Sequence, residues 1–234
     1  MTTSPIELSV SVNENEKVSA LLYRKTRSRD LGSTLILGHG AGANQLSGFM
    51  RLFAAGLAGR GFDVLTFNFL YMEKGRGAPD PRAKLESCYR AVIDTALTHK
   101  TLKSNRLIIG GKSMGGRIAS QVAAGPADRI TDAIAGLVFL GYPLHPPGRP
   151  DKLRDQHLSD VRAPMLFIQG SRDAFGTTDE IAAVIKRLTL PASLYVVAGG
   201  DHSMKVLKSS PVPQQQVYES AMDEIARWQE SIEK

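Results

Sequence analysis

Cysteine is scarce in this chain. Of its 234 residues only Cys88 carries a thiol, so no disulfide can form within it. Cys88 falls in a segment of helical character and reads as core. Long apolar runs are missing too. No stretch approaches the roughly 18 apolar residues that a membrane helix needs, so no membrane partner is expected. The opening residues, MTTSPIELSVSV, show no basic stretch followed by an apolar one and do not read as a secretory leader. A cytoplasmic protein is the expectation. The five histidines and one cysteine lack the spacing of metal ligands, and no metal or other cofactor is expected. There is no block of basic residues either. The net charge is +6, but Lys and Arg are scattered, which reads as a solvated basic surface, and no nucleic-acid partner is expected. Internal repeats, low-complexity tracts and linkers are absent, and no oligomeric state follows from the sequence.

What is present suits one domain over residues 1–234. Hydrophobic residues make up 42% and charged residues 22%, a balance that supports a core. Alternating and short apolar patterns predict an antiparallel strand pair at 6–12 and 17–23. Further strands are predicted at 33–37, 62–69, 106–110, 135–141, 165–169 and 194–198. Helical spacing marks 46–57, 81–98, 114–123, 178–187 and 212–233. Strands alternating with helices predict an α/β fold, a doubly wound, mainly parallel sheet covered on both faces. Ligand sites in such sheets lie at the carboxyl ends of the strands.

One such end carries a chemical signature. Arg106-Leu-Ile-Ile-Gly110 runs into Gly111-Lys-Ser113-Met-Gly115-Gly116, and a helix follows. G-x-S-x-G between strand and helix is the nucleophile elbow, a turn so sharp that side chains two positions either side of the serine would collide with the neighbouring strand and helix. Ser113 is the candidate nucleophile. The backbone N–H of Met114, at the helix N-terminus, points where negative charge would develop. Two nucleotide-binding readings fail on particular residues. A phosphate-binding loop ending in Gly-Lys-Ser needs glycine where Arg106 stands. The Gly38-x-Gly40-x-x-Ala43 run lacks the acidic residue a dinucleotide site needs at the end of the next strand, where Asn68 is nearest.

An elbow serine of this kind is served by an acid and then a histidine, in that chain order. Among the five histidines only His202, in Gly199-Gly-Asp-His202-Ser just past a strand, follows a candidate acid, and it is the candidate general base. Asp173, in Gln169-Gly-Ser-Arg-Asp173-Ala-Phe-Gly after the penultimate strand, is the candidate orienting carboxylate. Asp179 and Glu180 are alternatives that look like first-turn helix residues. Asp201 adjoins His202 in sequence, which does not make it a partner in space. In His39-Gly-Ala-Gly42, glycines let the backbone approach a substrate closely, and the Ala41 N–H is the candidate second oxyanion donor, with Gly42 as the alternative. His39 reads as structural.

Together HGAG, GKSMGG, GSRDAFG and GGDHS resemble the α/β-hydrolase superfamily across nearly the whole chain. The stretch 67–80, FNFLYMEKGRGAPD, is similar to that of a dienelactone-hydrolase-like group that includes a testis-expressed protein and a subunit of a histone acetyltransferase complex. The loop 142–154 also resembles that group. Leu70 stands where the group usually has proline. Ser113 stands where dienelactone hydrolases use cysteine, which argues against dienelactone as substrate. The resemblance implies a serine hydrolase using Ser113, Asp173 and His202 on a carboxylic ester or related acyl bond of a small molecule. The alternative is a hydrolase-like protein-interaction module. About two dozen residues separate the strands ending near Gly141 and starting near Met165, too few for a large cap, and Pro143, Pro146, Pro147 and Pro150 predict a stiff loop. Gly40, Gly42, Tyr71, Arg76 and His145 are the candidate substrate-binding residues, although a salt bridge within its own loop explains Arg76 equally well.

Overall fold

A computed structural model of the chain describes residues 4–26 and 29–232. The first three residues of the opening stretch and the final residue of the helix expected at 212–233 lie outside that range.

Among the described residues, eight strands form one sheet in the order β1-β2-β4-β3-β5-β6-β7-β8. β1 (Ile6–Ser11) and β2 (Lys17–Tyr23) are antiparallel, and β2 is antiparallel to β4 (Phe62–Phe67). β3 (Ser33–Gly38), β5 (Arg106–Lys112), β6 (Ile134–Leu140), β7 (Met165–Gly170) and β8 (Ala192–Val197) run parallel with β4. The doubly wound, mainly parallel fold expected from the sequence is the fold observed. Its central strands are near-continuous apolar runs because both faces are covered.

One face carries α3 (Arg82–Thr98), α4 (Met114–Ala123) and α6 (Thr178–Ile185) over a core that includes Ile109, Phe139 and Phe167. The other carries α1 (Gly48–Gly59) and α7 (Gln214–Ser231) over Leu35, Val138 and Ile168. Approach is close on this side. A Cβ at Gly136 of β6 would lie 2.7 Å from the Trp228 ring of α7.

Strand β4 stops two residues short of the expected boundary, and the reason is local. The Asn68 N–H still donates to the Ser19 carbonyl of β2, but the Phe69 N–H goes to His39 Nε2, so there the chain leaves the sheet and turns into a four-residue helix, α2 (Leu70–Glu73). A second short helix, α5 (Arg129–Asp132), opens on an Asp128 cap. Both are too short to leave a periodic trace in the sequence. Residues 141–164 cross from β6 to β7 with only a 3₁₀ turn at Gln156–Asp160, and no cap is inserted.

Candidate active site

Ser113 sits where central strand β5 breaks into α4. Its backbone takes φ 50° and ψ −113°, a conformation costing a non-glycine residue about 1–3 kcal/mol. The flanking glycines permit it. A Cβ at Gly115 would fall 2.1 Å from the Gly38 carbonyl oxygen, and one at Gly111 would fall 2.2 Å from the same atom. Only a chain bare on both sides of the serine can pass this close to β3, and the turn lifts the Ser113 hydroxyl above the carboxyl edge of the sheet.

The other two residues arrive on loops that leave β7 and β8. Ser113 Oγ and His202 Nε2 are 2.7 Å apart, and His202 Nδ1 and Asp173 Oδ2 are 2.8 Å apart. The ring can donate from Nδ1 to the carboxylate while Nε2 accepts the serine proton. Asp173 is 1% exposed and its oxygens are engaged on all sides. Oδ1 accepts from the Phe175 N–H at 2.8 Å, and Oδ2 accepts from the Gln169 amide at 2.8 Å as well as facing the imidazole. Asp179 and Glu180 belong to the first turn of α6, where Glu180 completes a capping box with Thr177. Asp201 is occupied in its own turn, accepting from the Ser203 and Lys205 N–H groups.

The backbone N–H groups of Met114 and Ala41 meet no acceptor among the described residues. Both residues line a cavity of about 290 Å³ that also contains Ser113. The loop carrying Ala41 is braced by His39. That ring is buried, its Nε2 accepts from the Phe69 N–H at 3.1 Å, and its Nδ1 donates to the Gly40 carbonyl at 2.9 Å. Burial pushes the imidazole down to about 4, so it is neutral at physiological pH. Gly40 lies close to the nucleophile: a Cβ there would stand 3.6 Å from that of Ser113. Gly42 holds φ 71° in the same turn.

The remaining expected contacts are placed otherwise. Tyr71 is fully buried in α2, edge-on to His39 with centroids 5.8 Å apart, and offers no surface to a ligand. Arg76 binds Asp80 at 2.6 Å, the loop-bracing arrangement. His145 is buried and is not among the residues lining that cavity; its ring lies 3.3 Å from Glu180, and its backbone N–H donates to the Phe175 carbonyl. Cys88 lies in the core, where burial pushes its thiol up to about 12.

Three groups at the site escape a reading of the sequence. Gln169 spans Asp173, Tyr142 and Gly176 through one amide. The Phe175 ring stacks on the His202 imidazole with centroids 4.2 Å apart. Lys112, the middle residue of Gly-Lys-Ser, turns its side chain back beneath the histidine loop, where Nζ donates to the His202 carbonyl at 2.6 Å. Burial pulls its ammonium down to about 8, against the opposing pull of Asp173 and Asp201. A lysine next to an elbow serine is the one available signal.

A family profile described as an alpha/beta hydrolase domain matches residues 32–230. Several solved structures share the fold. The dienelactone hydrolase of Anabaena variabilis superposes with a TM-score of 0.71 at 22% identity, over 94% of this chain and 97% of that one. A serine hydrolase without a lid from Xanthomonas campestris gives 0.73 at 18%, over 97% and 96%. An esterase from Pyrococcus furiosus gives 0.74 at 17%, over 97% and 92%. At these identities the likeness bears on fold alone.

Proposed function

The chain belongs to the alpha/beta hydrolase domain family, and from that premise we propose that it is a serine hydrolase cleaving a carboxylic ester or related acyl bond of a small molecule. The observation that carries the reading is the unbroken hydrogen-bonded chain from Ser113 through His202 to Asp173 at the edge of a cavity. Ser113 Oγ attacks the acyl carbon as His202 Nε2 takes its proton. The carbonyl oxygen gains negative charge and is met by the Met114 and Ala41 N–H groups. Asp173 holds the ring in the tautomer that can accept, and stabilises the imidazolium. The imidazolium then protonates the leaving group as the tetrahedral adduct collapses to an acyl-serine. Water, deprotonated by the same histidine, hydrolyses that ester and restores Ser113.

The chemistry asks for no metal or cofactor. The stretches 67–80 and 142–154 support a place in the dienelactone-hydrolase-like group that includes a testis-expressed protein and a histone acetyltransferase complex subunit. The test is covalent labelling by a fluorophosphonate. Wild type should label, and Ser113→Ala and His202→Ala should not. A folded wild type that fails to label would sink the hydrolase reading in favour of a protein-interaction module.

A further inference from the structure

The lining of the cavity beside Ser113 includes three arginines, Arg82 at the start of α3, Arg117 on α4 and Arg154 on the proline-rich loop. Positive groups drawn together need counter-charges, and the site supplies them unevenly. Arg82 binds Glu86 one turn along its own helix. Asp80, the acid in the cavity wall, is taken by Arg76 at 2.6 Å. Among the described residues neither Arg117 nor Arg154 has a carboxylate partner, and Arg117 Nε is buried without an acceptor from them. The Arg117 guanidinium is pulled down by burial first and then by Arg154. His157, bonded to Ser120 Oγ, is pushed down to about 4 by burial and then by Arg82 and Arg117.

Position ties the surplus charge to the chemistry. Arg117 follows Ser113 by four residues, one turn along α4, and its N–H donates to the Ser113 carbonyl at 3.1 Å. Four residues of helix span about 6 Å. A group a few bonds from an acyl carbon held at Ser113 Oγ therefore comes within reach of this wall. Guanidinium forks suit planar or tetrahedral anionic oxygens, which they bind in pairs.

We infer that the cavity selects acyl substrates carrying an anionic oxygen group, a carboxylate or a phosphate, a few bonds from the scissile carbonyl, with Arg117 and Arg154 as its counter-charges. This rests on the serine-hydrolase reading and names its substrate class. The reaction is unchanged: water adds across the acyl bond, giving an acid and the leaving group, and the remote anion only binds.

The test compares kcat/KM for matched esters. One pair is the 4-nitrophenyl monoester of glutaric acid against 4-nitrophenyl pentanoate, which places the anion on the acyl side. The other is 3-acetoxybenzoate against phenyl acetate, which places it on the leaving group. Glutarate and inorganic phosphate as competitive inhibitors separate carboxylate from phosphate. The anionic ester should lead by about tenfold or more in one pair, the size of one charge-assisted hydrogen bond, and the lead should shrink with added salt. Arg117→Gln and Arg154→Gln should each cut that lead, and Arg117→Lys should keep part of it. If Arg117→Gln does not fold, Arg154→Gln on its loop gives the same comparison. Equal or faster turnover of the neutral ester in both pairs would overturn the inference, as would a lead that survives both glutamine substitutions. Fluorophosphonate labelling of the same wild-type sample separates the two failures. Labelling without an anion preference removes the substrate class and leaves the hydrolase, while no labelling removes both.

Discussion

The side-chain amide of Gln169 donates to Asp173 Oδ2 at 2.8 Å, on the oxygen that also faces the His202 ring. The same nitrogen reaches the Gly176 carbonyl at 2.7 Å, and the amide oxygen accepts from the Tyr142 N–H. Gln169 is fully buried, so no solvent replaces these bonds when it is removed. Gln169→Leu should lower kcat/KM by about tenfold through loss of a bond to a charged group, with a stability loss of roughly 1–3 kcal/mol from the stranded partners. Steady-state kinetics on a folded sample, set beside its melting curve, checks this. A variant that melts early yet labels with fluorophosphonate at the wild-type rate would show that Gln169 braces the loop without positioning Asp173.

Phe175 covers the face of His202 with an interplanar angle of 28° and lines the cavity at the same time. A stacked ring holds the imidazole in plane with its two partners and favours the imidazolium through its π-face. Phe175→Ala should lower kcat by about three- to tenfold, matching a stacking interaction of about 0.5–1.5 kcal/mol. Phe175→Tyr should retain most activity. Full activity in Phe175→Leu would mean that the ring only excludes water.

Acid should weaken the fold through its buried histidines. His39 and His157 are each pushed down to about 4 by burial, while an unfolded chain holds a histidine near 6.5. Between those values the unfolded chain binds more protons than the native one, so stability is full above about 6.5 and is lost as pH falls toward 4. A tenfold difference in proton affinity between the two states corresponds to about 1.4 kcal/mol. His39→Gln, which can still accept from the Phe69 N–H, should flatten part of the decline in melting temperature between pH 7 and 4. An unchanged slope would remove His39 from the account.

Ser113, Asp173 and His202 each lie within three residues of a glycine just past an apolar run, so their places at the carboxyl ends of β5, β7 and β8 can be read along the chain. Gln169 and Phe175 look like the last residue of a strand and an apolar loop residue, because their partners lie on other segments. Tyr71 follows a strand end and so reads as reaching a substrate, but the four-residue helix α2 that buries it is too short to leave a periodic trace. The arginine wall joins residues 82, 117 and 154 from three separate elements, and no local pattern unites them.

Lys112 gives a prediction at the alkaline end. Its Nζ is held against the His202 carbonyl at 2.6 Å and lies 5.9 Å from the Phe49 ring centroid, and Gly141, at φ 70°, lets the histidine loop come down onto it. A Cβ at Gly141 would stand 2.5 Å from that same carbonyl oxygen. The ammonium sits at about 8 in the native protein against 10.5 in an exposed lysine, because burial outweighs Asp173 and Asp201. Between 8 and 10.5 the unfolded chain keeps a proton that the native chain has released, so this group alone makes stability rise with pH across that window. Activity should move the other way. Losing the charge weakens the bond that fixes the His202 backbone, so kcat/KM should fall above pH 8 while the fold becomes no weaker. Lys112→Met should lower the plateau and erase that alkaline limb, and Lys112→Arg should carry the limb to higher pH. A pH profile of Lys112→Met that keeps the wild-type limb near 8 would assign the loss to another group and leave Lys112 as filling beneath the loop.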